Sequence, residues 1–122
     1  PDTMKQSIEY FKNMSVSGYN KILILGNMNE LGVNSKKYHL EILKYLENHK
    51  FHSIIICGNY FENALKKINK PSNKFIVKKN ENELIKYLKL NLHYNAIIMA
   101  KCSNSTKVNK FGVKLLKMKE SK

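Results

Sequence analysis

Four short apolar runs constrain this chain more than any other feature: Lys21–Gly26 (KILILG), Ser53–Cys57 (SIIIC), Lys74–Val77 (KFIV) and Ala96–Ala100 (AIIMA). Each is too short for a helix and strongly apolar, and none alternates with polar residues. Continuous apolarity over so few residues marks strands covered on both faces, as in parallel sheets. The stretches between the runs follow a helical period instead. Met4, Ile8 and Phe11 stand at i, i+4, i+7 behind Pro1, which suits a first helical turn. His39, Ile42, Leu43 and Leu46 form a second stripe, and Tyr60, Ala64, Leu65 and Ile68 a third. Asn80 and Glu83 make an N-x-x-E start signal for a fourth helix, with Leu84, Ile85 and Leu88 expected to face inward. Val108, Phe111, Leu115 and Met118 predict a last helix. The expected fold class is α/β: a Rossmann-like three-layer sandwich with a mainly parallel sheet of about four strands flanked by helices. Right-handed crossovers leave few topologies, of which the order 3-2-1-4 is expected.

The length of 122 residues fits one domain, 1–122, and a 43% hydrophobic content supports a packed core. No apolar stretch reaches the roughly 18 residues of a membrane span, so no membrane insertion is expected. No signal peptide opens the chain, and a start at Pro1 without an initiator methionine reads as a fragment of a longer multidomain protein. Cys57 and Cys102 end apolar runs without metal-ligand spacing, as reduced thiols of a cytosolic protein would. The formal charge of +13 raises nucleic acid as a partner. All 22 basic residues are lysine, however, in company with abundant Asn and Ile, a pattern that AT-rich codons produce. Phosphate-clamping surfaces favour the planar fork of arginine, and these lysines run from Lys5 to Lys122 without clustering. They read as solvated surface, and no nucleic-acid partner is expected.

Open α/β sheets bind ligands beyond the carboxyl ends of their strands, where the winding direction reverses. Under the 3-2-1-4 order that point lies between the first and fourth strands. The loops leaving them are Asn27–Asn34 (NMNELGVN) and Lys101–Thr106 (KCSNST), both rich in polar groups. The first is neither a P-loop nor a G-x-G-x-x-G fingerprint, and as a bare loop it serves equally as a glycine-flanked connection. The second could hold an anion through Lys101 and backbone amides, or simply cap the next helix. Cys102 has no neighbouring histidine to activate it. His39 sits on an apolar stripe, and His49, His52 and His93 show no metal spacing, so no metal site is expected in the chain. The residues alone describe a cytosolic α/β domain with a polar crevice and no self-sufficient active site.

Three ordered segments resemble the C-terminal domain of Mur ligases of the D-alanyl-D-alanine-adding (MurF) type. Pro1-Asp2-Thr3-Met4 looks like the end of that family's D-x-Y-N-A-N-P-x-S-M segment. Ile22–Gly32 (ILILGNMNELG), followed by His39 and Glu41, is similar to its L-G-D-M-x-E-L-G…H-x-E stretch. Lys101–Asn104, with Ser105 after it, resembles its K-G-S-[RN] loop. The resemblance covers essentially the whole chain. It implies the C-terminal domain of an ATP-dependent amide ligase that adds D-alanyl-D-alanine to UDP-N-acetylmuramoyl-tripeptide in bacterial cytoplasm, for peptidoglycan precursor synthesis. ATP and Mg2+ would bind mainly in a central domain, and the UDP-sugar in an N-terminal domain, of the same parent chain. This piece would be inactive alone. By the same resemblance Asn27, Met28 and Glu30 would face the nucleotide, while Lys101, Ser103 and Asn104 would face the dipeptide and the reacting carboxylate. His39 would support the first loop from its helix. Two positions depart from the family pattern: Asn27 stands where an aspartate is usual, and Cys102 where a small Gly or Ala is usual.

Three other readings compete, one of them a small interaction protein that borrowed the domain. A basic α/β module that contacts nucleic acid without chemistry would concentrate its lysines on one face and bind with strong salt dependence. A related Mur-type ligase with a different acceptor would share the fold and differ in its loops.

Overall fold

The computed structural model describes residues 2–14, 16–28, 34–71, 75–91, 95–102 and 110–116. The elements run α1 (Asp2–Asn13), β1 (Asn20–Gly26), α2 (Ser35–Leu46), β2 (Ser53–Cys57), α3 (Asn59–Leu65), β3 (Phe75–Lys78), α4 (Glu81–Asn91), β4 (Ala96–Cys102) and β5 (Lys110–Leu116). The sheet order is β3-β2-β1-β4-β5. Strands β1 to β4 are mutually parallel, with Leu23 opposite Ile54 and Met99, and Ile55 opposite Ile76. The expected 3-2-1-4 order is therefore present, and β5 extends it antiparallel to β4.

Alternation along the strands divides the core in two. Leu23, Leu25, Ile54, Ile56, Ile97 and Met99 face one way and pack against Met4, Ile8 and Phe11 of α1, Ile42, Leu43 and Leu46 of α2, and Phe61 and Ala64 of α3. Ile22, Ile55, Ala96 and Ile98 face the other way, under Leu84, Tyr87 and Leu88 of α4. The winding explains this division. The connections β1–α2–β2 and β2–α3–β3 step in one direction along the sheet, while β3–α4–β4 steps back past β1. A constant crossover hand then puts α4 on the opposite face. The α1–α3 layer is the deeper one: α4 has no fully buried residue. Removing a side chain such as Ile42 or Leu43, both fully enclosed, by substitution to alanine costs about 2–5 kcal/mol in packed cores.

Local signals hold in most places. At the start of α4, Asn80 Oδ1 accepts the Glu83 N–H at 2.9 Å and Glu83 Oε1 accepts the Lys79 N–H at 3.2 Å. This is the reciprocal cap that the N-x-x-E signal predicts. Three expectations are corrected. In α3 the buried aromatic is Phe61, whereas Tyr60 is 39% exposed. In α4, Ile85 is exposed and Tyr87 takes the inward place beside Leu84 and Leu88. The last helix is not formed over 110–116, which instead make β5. Phe111, Val113 and Leu115 sit opposite Lys101, Met99 and Ile97. Their spacing of two is a strand period, and a spacing of four, from Phe111 to Leu115, fits helix and strand alike. Val108 and Met118 lie outside the described residues.

The outer end of the α1–α2 pair carries a polar clamp. Glu9 Oε2 accepts from the Tyr45 hydroxyl and, at 2.7 Å, from His49 Nε2; His49 Nδ1 donates to the Tyr45 carbonyl at 2.9 Å. Phe51 stacks between this group and Phe11. Tyr45 is pushed up to about 12 by burial and by the Glu9 carboxylate. The clamp fixes α1 against α2 on the side of the fold away from the strand ends.

Candidate functional site at the carboxyl ends of the first two strands

The β1–α2 connection begins at Asn27, where β1 ends, and its first two residues are held by different helices. Asn27 Oδ1 accepts the Tyr60 N–H at 2.9 Å, and Asn27 Nδ2 donates to Asn59 Oδ1 at 3.0 Å. Asn27 thereby supplies to α3 the side-chain cap that Gly58, its N-cap residue, cannot make. Met28 is held from α2: its N–H donates to His39 Nε2 at 3.1 Å. The opposite ring nitrogen, Nδ1, donates to the Ser35 carbonyl at 2.6 Å. Acceptance at one nitrogen and donation at the other describe a neutral imidazole in a single tautomer. Burial holds this imidazole below the ordinary histidine value, against a smaller opposing pull from the Ser35 hydrogen bond.

The His39 ring is fully buried. It meets Tyr38, Tyr60 and Phe61 edge to face, with the Phe61 centroid at 4.5 Å. Above it α2 and α3 diverge into a cleft of about 700 Å³ lined by Ser35, Lys36, His39, Asn59, Tyr60, Asn63, Ala64 and Lys67.

Of the remaining expected site residues, Lys101 stands near the end of β4, directly opposite Leu25 of β1 and Phe111 of β5. The strands that carry the two candidate loops are thus neighbours, as a switch point requires. Glu30, Ser103 and Asn104 lie outside the described residues, and with them most of the expected crevice between the two loops. Among the described residues no group of three or more His, Cys, Asp or Glu side chains could hold a metal ion, and no helix is long and apolar enough to cross a membrane. Cys57, the last residue of β2, is half-buried.

Sequence reasoning missed Asn59, Tyr60, Asn63, Lys36 and Lys67 as cleft residues. The one local signal for them was Gly58-Asn59 directly after an apolar run, a strand end that turns sharply into a helix.

Comparison with known proteins adds a relative. The UDP-N-acetylmuramoyl-tripeptide--D-alanyl-D-alanine ligase of Rickettsia prowazekii (strain Madrid E) is 33% identical to this chain over 111 residues, which is 90% of the chain and 24% of the relative. Over most of its length the chain is thus homologous to a Mur ligase. It spans about a quarter of the length of the curated relative that it matches. No protein-family model and no solved structure matches the chain. In this chain the parallel order puts the β1 and β4 ends side by side, and the start of the first loop is fastened by His39 and by Asn27.

Proposed function

We propose that the chain acts as the C-terminal domain of a MurF-type ligase, which joins D-alanyl-D-alanine to UDP-N-acetylmuramoyl-tripeptide at the expense of ATP. The observation that carries this reading is the 33% identity running through 90% of the chain to a ligase of that name. On this reading the domain completes a site whose larger part lies in central ATP-binding and N-terminal UDP-sugar-binding domains of a parent chain, in bacterial cytoplasm. The piece alone catalyses nothing. The described residues offer no carboxylate cluster for Mg2+ and the chain has no P-loop, so metal and triphosphate would be held mainly by the other domains. When bound there, the triphosphate would supply the phosphoryl group that activates the tripeptide's terminal carboxylate, and the metal would offset the phosphate charge.

The chain's own residues act on position and charge. Asn27, Met28 and Glu30 form the nucleotide-facing edge. Asn27 contributes as a positioning residue, because both ends of its carboxamide are committed to α3. His39 holds the Met28 amide and so fixes how the loop leaves β1. Lys101, with Ser103 and Asn104, faces the incoming dipeptide and the reacting carboxylate. There an ammonium and preorganised donors offset the negative charge that grows as the dipeptide amine attacks the activated carboxyl carbon.

The test is an ATP-dependent ligation assay on the parent protein, its Lys101→Ala variant and the 122-residue chain. Activity in the parent, a loss of about a hundredfold or more in Lys101→Ala, and none in the isolated chain are expected. A parent that fails to ligate D-alanyl-D-alanine overturns the reading. Full activity in Lys101→Ala removes that residue's role.

A further inference from the structure

The cleft between α2 and α3 lies one strand away from the β1/β4 switch point, and the site residues proposed above leave most of its lining unused. Its volume of about 700 Å³ falls in the range of small-molecule pockets, roughly 300–1,000 Å³. Among the described residues that line it, none is a carboxylate. Lys36 lines it from α2 and Lys67 from just beyond the end of α3, and both are exposed. Neither forms an ion pair with a carboxylate among the described residues.

The polar groups between the two lysines are biased the same way. Asn59 Oδ1 already accepts from Asn27, and its amide NH2 can donate into the cleft. His39 offers no acceptor, because its Nε2 is taken by the Met28 amide. At the α2 end, Asn34 makes no side-chain cap and the first turn holds no acidic residue, so Ser35 and Lys36 line the cleft at the positive end of the helix dipole. Ala64 and the ring of Tyr60 supply an apolar side. Donors and cations therefore surround a partly apolar space of small-molecule size.

We propose that the α2–α3 cleft is a binding site for a small organic anion, recognised through a phosphate or carboxylate group set between Lys36 and Lys67. The body of the ligand rests against Tyr60 and Ala64. The same walls hold the β1–α2 loop, through His39 to Met28 and through Asn59 and Tyr60 to Asn27. Occupation of the cleft is consequently felt at the start of that loop. The inference rests on the cleft alone and stands whether or not the parent is a ligase.

The test is an NMR titration of the 15N-labelled 122-residue chain with inorganic phosphate, and separately with acetate, at ionic strength held constant with sodium chloride. Saturable shifts are expected at the amides of Ser35, Lys36, Asn63, Lys67 and Met28. Lys36→Ala and Lys67→Ala should each weaken binding about fivefold, the reach of one exposed charge pair, and the double variant more than about tenfold. Lys86→Ala, on α4 across the sheet, should leave it unchanged. Saturation by phosphate alone identifies a phosphate ligand, and saturation by acetate as well identifies the carboxylate class. Shifts that fail to saturate with either probe, that spread over lysines of both sheet faces, or that persist unchanged in the double variant overturn the proposal.

Discussion

The side chain of Asn27 occupies the space that a β-carbon on Gly58 would need: an ideal Cβ built there lies 2.7 Å from Asn27 Oδ1 and 3.0 Å from Asn27 Cγ. Gly58 also has φ +123°, a conformation that L side chains rarely adopt. Absence of a side chain at the first residue of the β2–α3 turn is what lets a residue from β1 reach over and cap α3. Asn27→Ala should therefore cost about 1 kcal/mol, the usual worth of a helix cap. Gly58→Ala should cost about 1–3 kcal/mol, from the strained φ and the displaced carboxamide together. In the double variant the steric part vanishes, so Gly58→Ala should cost less there than in the parent sequence. Urea denaturation of the four proteins measures this directly. Equal costs of Gly58→Ala in both backgrounds would refute the fit.

The His39–Met28 hydrogen bond should make folding stability depend on pH in a fixed direction. Burial lowers the His39 pKa in the folded chain, whereas in the unfolded chain the ring titrates near the ordinary value of about 6.5. As pH falls through that value the unfolded state takes up a proton that the folded state resists, and stability declines until the folded pKa is passed. A proton forced onto Nε2 would also set two donors, the ring N–H and the Met28 N–H, against each other. His39→Leu should remove this slope, while costing about 1–3 kcal/mol at neutral pH by leaving the Met28 amide without its acceptor. Denaturant midpoints above and below the ordinary histidine value check both statements. An unaltered slope in His39→Leu would assign the dependence to another group.

Glu9 acts at lower pH. Its carboxyl is held below the ordinary glutamate value, chiefly by the Tyr45 hydroxyl and then by His49. A depressed carboxyl contributes stability above its unfolded pKa and loses it as pH falls through the folded one. Glu9→Gln should thus lower the urea midpoint at neutral pH and bring it level with the unsubstituted chain in acid. If the two chains differ by the same amount at neutral and acid pH, the carboxylate charge is not what the clamp uses.

These contacts also show which parts of the molecule were legible beforehand. The parallel strands were, because three consecutive isoleucines, Ile54–Ile56, leave no polar position to expose and so must be covered on both faces. The α4 cap was, because its two partners are three residues apart. The inward residue of α3 was misassigned, since a helix of two turns gives a stripe too few positions to decide between Tyr60 and Phe61. The β1–α2 loop could be singled out by its glycines and polar groups, but its fastening could not. Asn27 and Tyr60 are 33 residues apart, and their hydrogen bond exists only because β1 and β2 lie side by side. Lys36, Asn63 and Lys67 come together for the same reason, and nothing in their spacing marks them as neighbours.

The segment KFGVKLL decides between two periodicities, and the difference is measurable. As a helix, Phe111 and Leu115 would share a face with Val108 and Met118. As a strand, Phe111, Val113 and Leu115 share one face by strict alternation, with Lys110, Gly112 and Lys114 on the other. The register pairs Lys101 with Phe111, Met99 with Val113 and Ile97 with Leu115. Gly112 favours the strand over a helix, which it would weaken by about 1 kcal/mol relative to alanine. Backbone 13C chemical shifts over 110–116 should therefore carry the sign of β structure, with cross-strand Hα or amide contacts from Val113 to Met99. Helical shifts across this segment would remove β5 and return the sheet to four strands. Alanine at Val113 offers a second readout. If the strand is formed, Val113→Ala should destabilise the chain by about 0.5–1 kcal/mol, because alanine is a poorer strand former than valine. If it is a helix with Val113 at an exposed position, the same change should be neutral or slightly stabilising.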